Sequence, residues 1–176
     1  NRELDRLATT DPLTGLLNRR GLEIAYRQRT QSGNVRLAAL AVDLDRFKAV
    51  NDRYGHATGD VVLQSVARVM QRLCRDGDIL GRWGGEEFLL LVVADSPQQS
   101  FRVAERIRVA VHEMELEALA GERVTLSAGI AIAGETESLH ALLERADAAL
   151  YRAKAQGRDR TVIDYNAPVR RSATGS

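Results

Sequence analysis

The sequence predicts an α+β domain, an α/β sandwich in which one mixed sheet carries helices on its faces. Three observations point there. Leu37–Leu44 (LAALAVDL) is a continuous apolar run of strand length, the pattern of a strand covered on both faces. Ile79–Trp83 and Glu87–Val93 are two further strand-type runs joined at Gly84-Gly85, which signals a hairpin. Around them lie segments whose apolar residues recur at helical spacing, as Val62, Val66, Val69 and Leu73 do.

Each element has its own signal. The first ten residues read as a helical stub with Leu4 and Leu7 on one face, the expected end of a connecting helix. Asp11-Pro12-Leu13-Thr14-Gly15 breaks it and opens a domain expected over residues 11–165. A helix is expected from Asn18 to Gln31, ended by Ser32-Gly33-Asn34. After the apolar strand comes a short helix from Arg46 to Asp52, then a long one from Thr58 to Arg75. The hairpin follows. Ser96-Pro97 starts the next helix, which runs to Met114. Serine can accept from an unpaired N–H of the first turn, and proline lacks an N–H that would have no partner there. Arg123–Ala133 reads as a strand. Ser138 caps a last helix reaching Gln156 and closed by Gly157. Thr161–Tyr165 is a final short strand, and residues 166–176 read as a disordered tail.

Composition narrows the function. The 176 residues suffice for one domain with a real core. Lys and Arg total 25 against 24 Asp and Glu, a formal charge of +1, so there is no basic excess of the kind that marks a nucleic-acid footprint. A small anionic ligand needs only a few placed cations and remains open. The single cysteine, Cys74, allows no intrachain disulfide and reads as an inert thiol among Val69, Met70 and Leu73. No apolar run approaches the roughly 18–20 residues of a membrane span. A reducing, cytoplasmic setting is the expectation for this part of the chain. The first residue is Asn1 rather than Met, so an excised piece of a longer protein is expected.

Two carboxylate clusters carry the chemical signal. Asp43 closes the apolar strand with Asp45 two residues on, and Glu86 and Glu87 lie at the hairpin. A carboxylate at the end of a buried strand is costly unless paired or on a metal. The two clusters meet if strand and hairpin are sheet neighbours. Hard oxygen donors without a Cys/His group suit Mg²⁺ or Mn²⁺ rather than zinc. Asp-x-Asp is no calcium loop, because Phe47 and Lys48 stand where that loop needs polar ligands or Gly. Taken alone, Gly84-Gly85-Glu86-Glu87 reads best as a plain turn with solvated acids. Lys154 and Arg158 at the end of the last helix can serve an anion or merely favour the helix dipole. Asp60 can favour a helix N-terminus or match the N–H edge of guanine, beside Asn51 with both donor and acceptor. Spacing does not choose between these.

Five segments in one order do choose. Asp11-Pro-Leu-Thr-Gly-Leu-Leu-Asn-Arg-Arg20, Asp43-Leu-Asp-Arg-Phe-Lys-Ala-Val-Asn-Asp52, Tyr54-Gly-His-Ala-Thr-Gly-Asp60, Gly81-Arg-Trp-Gly-Gly-Glu-Glu-Phe88 and Tyr151-Arg-Ala-Lys-Ala-Gln-Gly-Arg158 resemble the motifs of GGDEF-domain diguanylate cyclases. The resemblance covers about residues 9–160. It implies a palm-like fold of nucleotidyl cyclases, with a central mixed five-stranded sheet flanked by helices. It implies condensation of two GTP into cyclic di-GMP across a homodimer, with Mg²⁺ or Mn²⁺ held by Asp43, the Leu44 carbonyl, Glu86 and Glu87. Glu86 would be the general base for the 3′-hydroxyl, and Lys48 would offset charge in the transition state. Asn51 and Asp60 would read guanine. Gly84, Gly85, Lys48, Lys154 and Arg158 would contact phosphates. Arg75, Asp78 and Arg106 would form an inhibitory site for the product. Asp159 departs from the usual Asn, and Trp83 replaces a more usual Tyr. The rival readings are a catalytically silent receptor for cyclic di-GMP or GTP, and another metal-dependent nucleotidyl cyclase or polymerase palm.

Overall fold

The computed structural model describes residues 1–33 and 35–166. Its elements are α1 (Arg2–Thr9), α2 (Arg19–Gln31), β1 (Leu37–Leu44), α3 (Phe47–Tyr54), α4 (His56–Leu73), β2 (Ile79–Arg82), β3 (Glu87–Val93), α5 (Pro97–Glu113), β4 (Leu126–Ile132), α6 (Leu139–Ala155) and β5 (Thr161–Asp164). The five strands form one sheet in the order β2-β3-β1-β4-β5. Every pairing is antiparallel except β4 with β5, which makes the sheet mixed as expected.

β1 is central, and its eight residues are all buried. Side chains alternate across a strand. Leu40 and Val42 therefore face a core shared with Val62 and Val66 of α4 and Ala104 and Ile107 of α5. Ala39 and Ala41 face a second core with Leu22 of α2 and Leu142 and Ala146 of α6. Two apolar faces explain why β1 reads as an unbroken apolar run. The same alternation places Asp43 on the α6 side. There α6 lies directly on β4, with the backbone of Ala146 and Leu150 against Gly129.

The caps at Ser96 and Ser138 agree with the sequence, and Asn18, expected as the first helical residue, proves to be a third. The side chains of Asn18, Ser96 and Ser138 accept from the backbone N–H of Gly21, Gln99 and Ala141 respectively. Some ends differ. α3 runs on to Tyr54, and α4 begins at His56 and stops at Leu73, so Arg75 stands in the following turn. β4 keeps only Leu126–Ile132 of the longer run, because Val124 and Thr125 before it have no ladder partner. A 3-10 turn over Glu117–Leu119 was not expected; its three residues carry no periodicity, and tertiary burial of Leu119 holds it. α1 buries none of its residues, and Leu4 and Leu7 are exposed on it. Beyond Asn166, the expected disordered tail lies outside the described residues. Among the described residues, no helix is long and apolar enough to cross a membrane.

Candidate active site

The site forms at one end of the sheet, where β1 and the β2–β3 hairpin lie side by side. Asp43 is in register with Glu87 on β3 and with Ser127 on β4. Residues directly opposite in an antiparallel pair project to the same face, with Cβ atoms roughly 5 Å apart. The two expected carboxylate clusters thus converge, and Glu87 rather than Glu86 stands opposite Asp43. Glu86 occupies the turn, and its carbonyl accepts from the N–H of Leu44 at 3.2 Å.

Lys154 Nζ on α6 lies 2.8 Å from Asp43 Oδ1. This is an ion-pair contact, and among the described residues no hydrogen bond reaches that buried Oδ1. Burial raises the Asp43 carboxyl above its ordinary range, and Asp45 adds to this, against Lys154 and the nearby Arg158. Glu87 is raised in the same way, by burial first and then by repulsion from Asp43, Asp147 and Glu86. Asp147 is raised by burial and by Asp43. It was missed in the sequence; its signal is a position seven residues before Lys154, two turns back on the same face of α6.

This crowding is the pattern of anions arranged for a cation. Among the described residues, no three His, Cys, Asp or Glu stand close enough to cage a metal by themselves. A buried, undonated Asp43 oxygen beside Glu87 still fits Mg²⁺ or Mn²⁺. Mg²⁺ is usually held by one or two carboxylates together with substrate phosphates.

Asp45, the other acid of the first cluster, has a different task. It is buried and accepts from Thr125 Oγ1 and Ser127 Oγ, both at 2.7 Å, and from the N–H of Asp159 at 3.0 Å. These bonds hold the loop after α6, where Arg158 and Asp159 adopt left-handed φ of 64° and 47°. Asn and Asp tolerate that conformation better than most residues. Asp159, the departure from the family pattern, also accepts from Arg108 of α5 at 2.9 Å. Arg108 is held in turn by Glu105. The loop that carries Arg158 is therefore braced from two sides, and Asp159 adds an ion pair that Asn would lack.

On the opposite face, α3 and α4 bring the expected guanine pair together. The Asn51 carboxamide rests against Gly59, the residue before Asp60, and a Cβ at Gly59 would overlap Asn51 Oδ1. Gly59 is thus a positioning residue that the sequence reading did not single out. Lys48 is exposed on α3 and, among the described residues, makes no ion pair.

Arg82 and Arg19 shape the hairpin tip. Arg82 donates to the carbonyls of Gly84 and Gly85 at 2.7–3.2 Å and pairs with Asp11 at 3.2 Å. Arg19 donates to the Trp83 carbonyl at 2.8 Å and lies 4.9 Å over its ring. A Cβ at Gly84 would meet the Glu87 carboxylate, whereas one at Gly85 meets nothing within 4 Å. Gly84→Ala is accordingly expected to displace Glu87 and lower turnover at least about tenfold, at a stability cost of about 1 kcal/mol or less. Gly85→Ala is expected to leave the fold's stability unchanged, so any loss it causes arises from a bound ligand or a second domain. Thermal melts with steady-state rates check both.

Arg75 and Asp78 form a closed turn: the N–H of Arg75 donates to Asp78 Oδ2 at 2.9 Å, and the N–H of Asp78 to the Arg75 carbonyl at 3.0 Å. The Arg75 side chain is exposed, and so is Arg106 on α5. Among the described residues, no hydrogen bond or ion pair ties Arg106 to that turn. Cys74 is half-buried, and burial with Asp78 pushes its thiol up to about 11, which keeps it inert.

The family model for "Diguanylate cyclase, GGDEF domain" matches residues 8–160. The chain is 41% identical over 167 residues to diguanylate cyclase DgcM of Escherichia coli K12, covering 91% of this chain and 39% of that protein. It is 44% identical over 164 residues to diguanylate cyclase DgcP of Pseudomonas aeruginosa, covering 89% of this chain and 24% of that protein. The chain therefore spans well under half the length of these two relatives. Among solved structures, the coiled coil and GGDEF domain of DgcB from Caulobacter crescentus, in complex with c-di-GMP, superposes with a TM-score of 0.83. Sequence identity to it is 34%, over 93% of this chain and 89% of that one.

Proposed function

Because the chain belongs to the GGDEF-domain diguanylate cyclase family, we propose that it condenses two GTP molecules into cyclic di-GMP and two pyrophosphates. The observation that carries this is the convergence of Asp43 and Glu87 beside Lys154 at one sheet end.

The residues divide the work. Asn51 and Asp60 orient guanine through its donor and acceptor edge. Lys48, Lys154 and Arg158 neutralise phosphate charge, and the backbone at Gly84 and Gly85 approaches the phosphates. Asp43, the Leu44 carbonyl, Glu87 and Glu86 would hold Mg²⁺ or Mn²⁺, which when bound polarises the α-phosphate and lowers the hydroxyl pKa. Glu86 takes the proton from the 3′-hydroxyl, whose oxygen then bonds to the α-phosphorus of the other GTP as pyrophosphate leaves. Holding both nucleotides in line supplies much of the acceleration. One domain binds one GTP, so two copies meet about a two-fold axis, each completing the other's reaction.

Incubation of the chain with GTP and Mg²⁺, followed by chromatography, is expected to show cyclic di-GMP. No product at high protein concentration, even with a fused dimerising helix, would favour the silent-receptor reading. Glu86→Ala is expected to abolish turnover with an unchanged circular dichroism spectrum; substantial residual activity contradicts its role.

The product site is proposed at Arg75, Asp78 and Arg106. Exposed arginines offer bidentate bonds and stacking to guanine, and the turn closed by Asp78 fixes the backbone at Arg75. Arg75→Ala is expected to weaken cyclic di-GMP binding at least about tenfold by isothermal titration, as loss of a charged bidentate contact does. Unchanged binding removes Arg75 from the site.

A further inference from the structure

Among the described residues, Lys154 is the cation in contact with Asp43, and it stands where a metal would also have to bind. We propose that Lys154 is a placeholder: it neutralises Asp43 in the nucleotide-free chain and moves to the nucleotide's phosphates when metal and nucleotide enter together. This rests on the metal-dependent reading given above and adds a coupling to it.

Among the described residues, no hydrogen bond reaches the buried Asp43 Oδ1, so the 2.8 Å approach of Lys154 Nζ is its charge compensation. Asp43 is buried and stands in register with Glu87 on β3, so a second carboxylate lies beside the one that Lys154 meets. A divalent cation on the same oxygen and an ammonium at that distance repel each other strongly, so the oxygen holds one or the other.

The geometry allows the exchange. The α6 backbone is fixed, because Ala149 and Ala153 are fully buried. The Lys154 side chain remains about one-third exposed (32%), so its flexible stem reaches in from the border of the site. Arg158 cannot take the same part. Its loop is pinned through the N–H of Asp159 on Asp45 and through Arg108 on Asp159. Lys48 lies on α3, while Asp43 faces the α6 side of the sheet.

The consequence is linkage. Metal binding alone must expel Lys154 into water. With a triphosphate present, Lys154 passes from one anion to another. Metal therefore binds weakly without nucleotide and tightly with it, and by reciprocity the nucleotide binds tightly only with metal.

The test measures Mn²⁺ binding to the whole chain directly, by the electron paramagnetic resonance signal of free Mn²⁺. It is run without nucleotide and with a non-hydrolysable α,β-methylene GTP analogue. Lys154→Met is expected to tighten Mn²⁺ binding without nucleotide about fivefold or more, and to shrink the enhancement by the analogue by a similar factor, since methionine keeps the stem and removes the charge. Lys154→Gln repeats the test should the methionine variant fail to fold, and Lys154→Arg is expected to keep binding weak. Arg152→Gln removes one positive charge from the same helix without touching Asp43 and is expected to change nothing. Unchanged or weaker Mn²⁺ binding in the Lys154 variants overturns the proposal, as does equal tightening in Arg152→Gln. If no variant binds Mn²⁺, or Asp43→Asn leaves binding unaltered, the metal-dependent reading itself falls.

Discussion

Asp43→Asn is expected to lower turnover by about a thousandfold or more while raising the melting temperature of the nucleotide-free chain by about 2–4 °C. The first effect follows from loss of the buried carboxylate that faces Glu87, where a metal contact is worth several kcal/mol. The second follows from burial: the ionised group is disfavoured in the fold, and an isosteric amide removes a charge repelled by Asp45, Glu87 and Asp147. About 1 kcal/mol moves the melting point of a chain this size by that amount. The sign with pH can also be worked out. Asp43, Glu87 and Asp147 have raised folded pKa values, so the stability they contribute is fully present below their ordinary range and is lost as pH rises through the folded values. Asp11 and Glu105 are lowered, so theirs is present at neutral pH and lost on acidification. Asp43→Asn should therefore gain most near neutral pH and little near pH 4. Thermal melts across that range, with product chromatography, measure both effects. A variant that melts below the wild type at neutral pH contradicts the account of Asp43 as a strained anion.

Asp45→Ala is expected to destabilise the fold by about 3–5 kcal/mol, lowering the melting temperature by roughly 10 °C. Its carboxylate accepts three hydrogen bonds, and its removal leaves the fully buried Ser127 hydroxyl, the Thr125 hydroxyl and the N–H of Asp159 without their acceptor. Unsatisfied buried donors cost about 1–3 kcal/mol each before the site relaxes. Asp45→Asn keeps the shape and one accepting oxygen, so a smaller loss is expected. Turnover should fall with stability, because the left-handed Arg158-Asp159 loop loses its anchor. Denaturant titration decides the case: an unfolding free energy within about 1 kcal/mol of the wild type would mean that the loop is held elsewhere.

Asp43 and Asp45 show where reading a sequence stops. Both lie in one Asp-x-Asp motif, and the motif does not say that one faces a cation while the other is consumed by hydroxyls and a loop N–H. That division depends on Asp43 lying within β1 while Asp45 lies just past its end, and on what α6, β4 and the loop after α6 bring to each. Glu86 and Glu87 divide in the same way, since only the β1–β3 register puts Glu87 opposite Asp43. Gly59 and Asp147 had weak signals, a glycine inside a helical run and an acid two turns before a lysine. Neither has meaning until Asn51 and Asp43 are near.

Much else was legible. The five strands, the main helices and the caps at Ser96 and Ser138 follow from period, chain breaks and cap chemistry, which are local properties. The ordered motifs carried the family, and the Gly84-Gly85-Glu86-Glu87-Phe88 turn fell where the hairpin was expected. By itself, then, the sequence determined the elements, the two-sided central strand and the residue types available for chemistry. The tertiary structure alone decided which carboxylates share a face, which is spent on holding a loop, and that Lys154 meets Asp43 across 111 positions of sequence. Local pattern is set by neighbours along the chain, whereas charge compensation is set by neighbours in space.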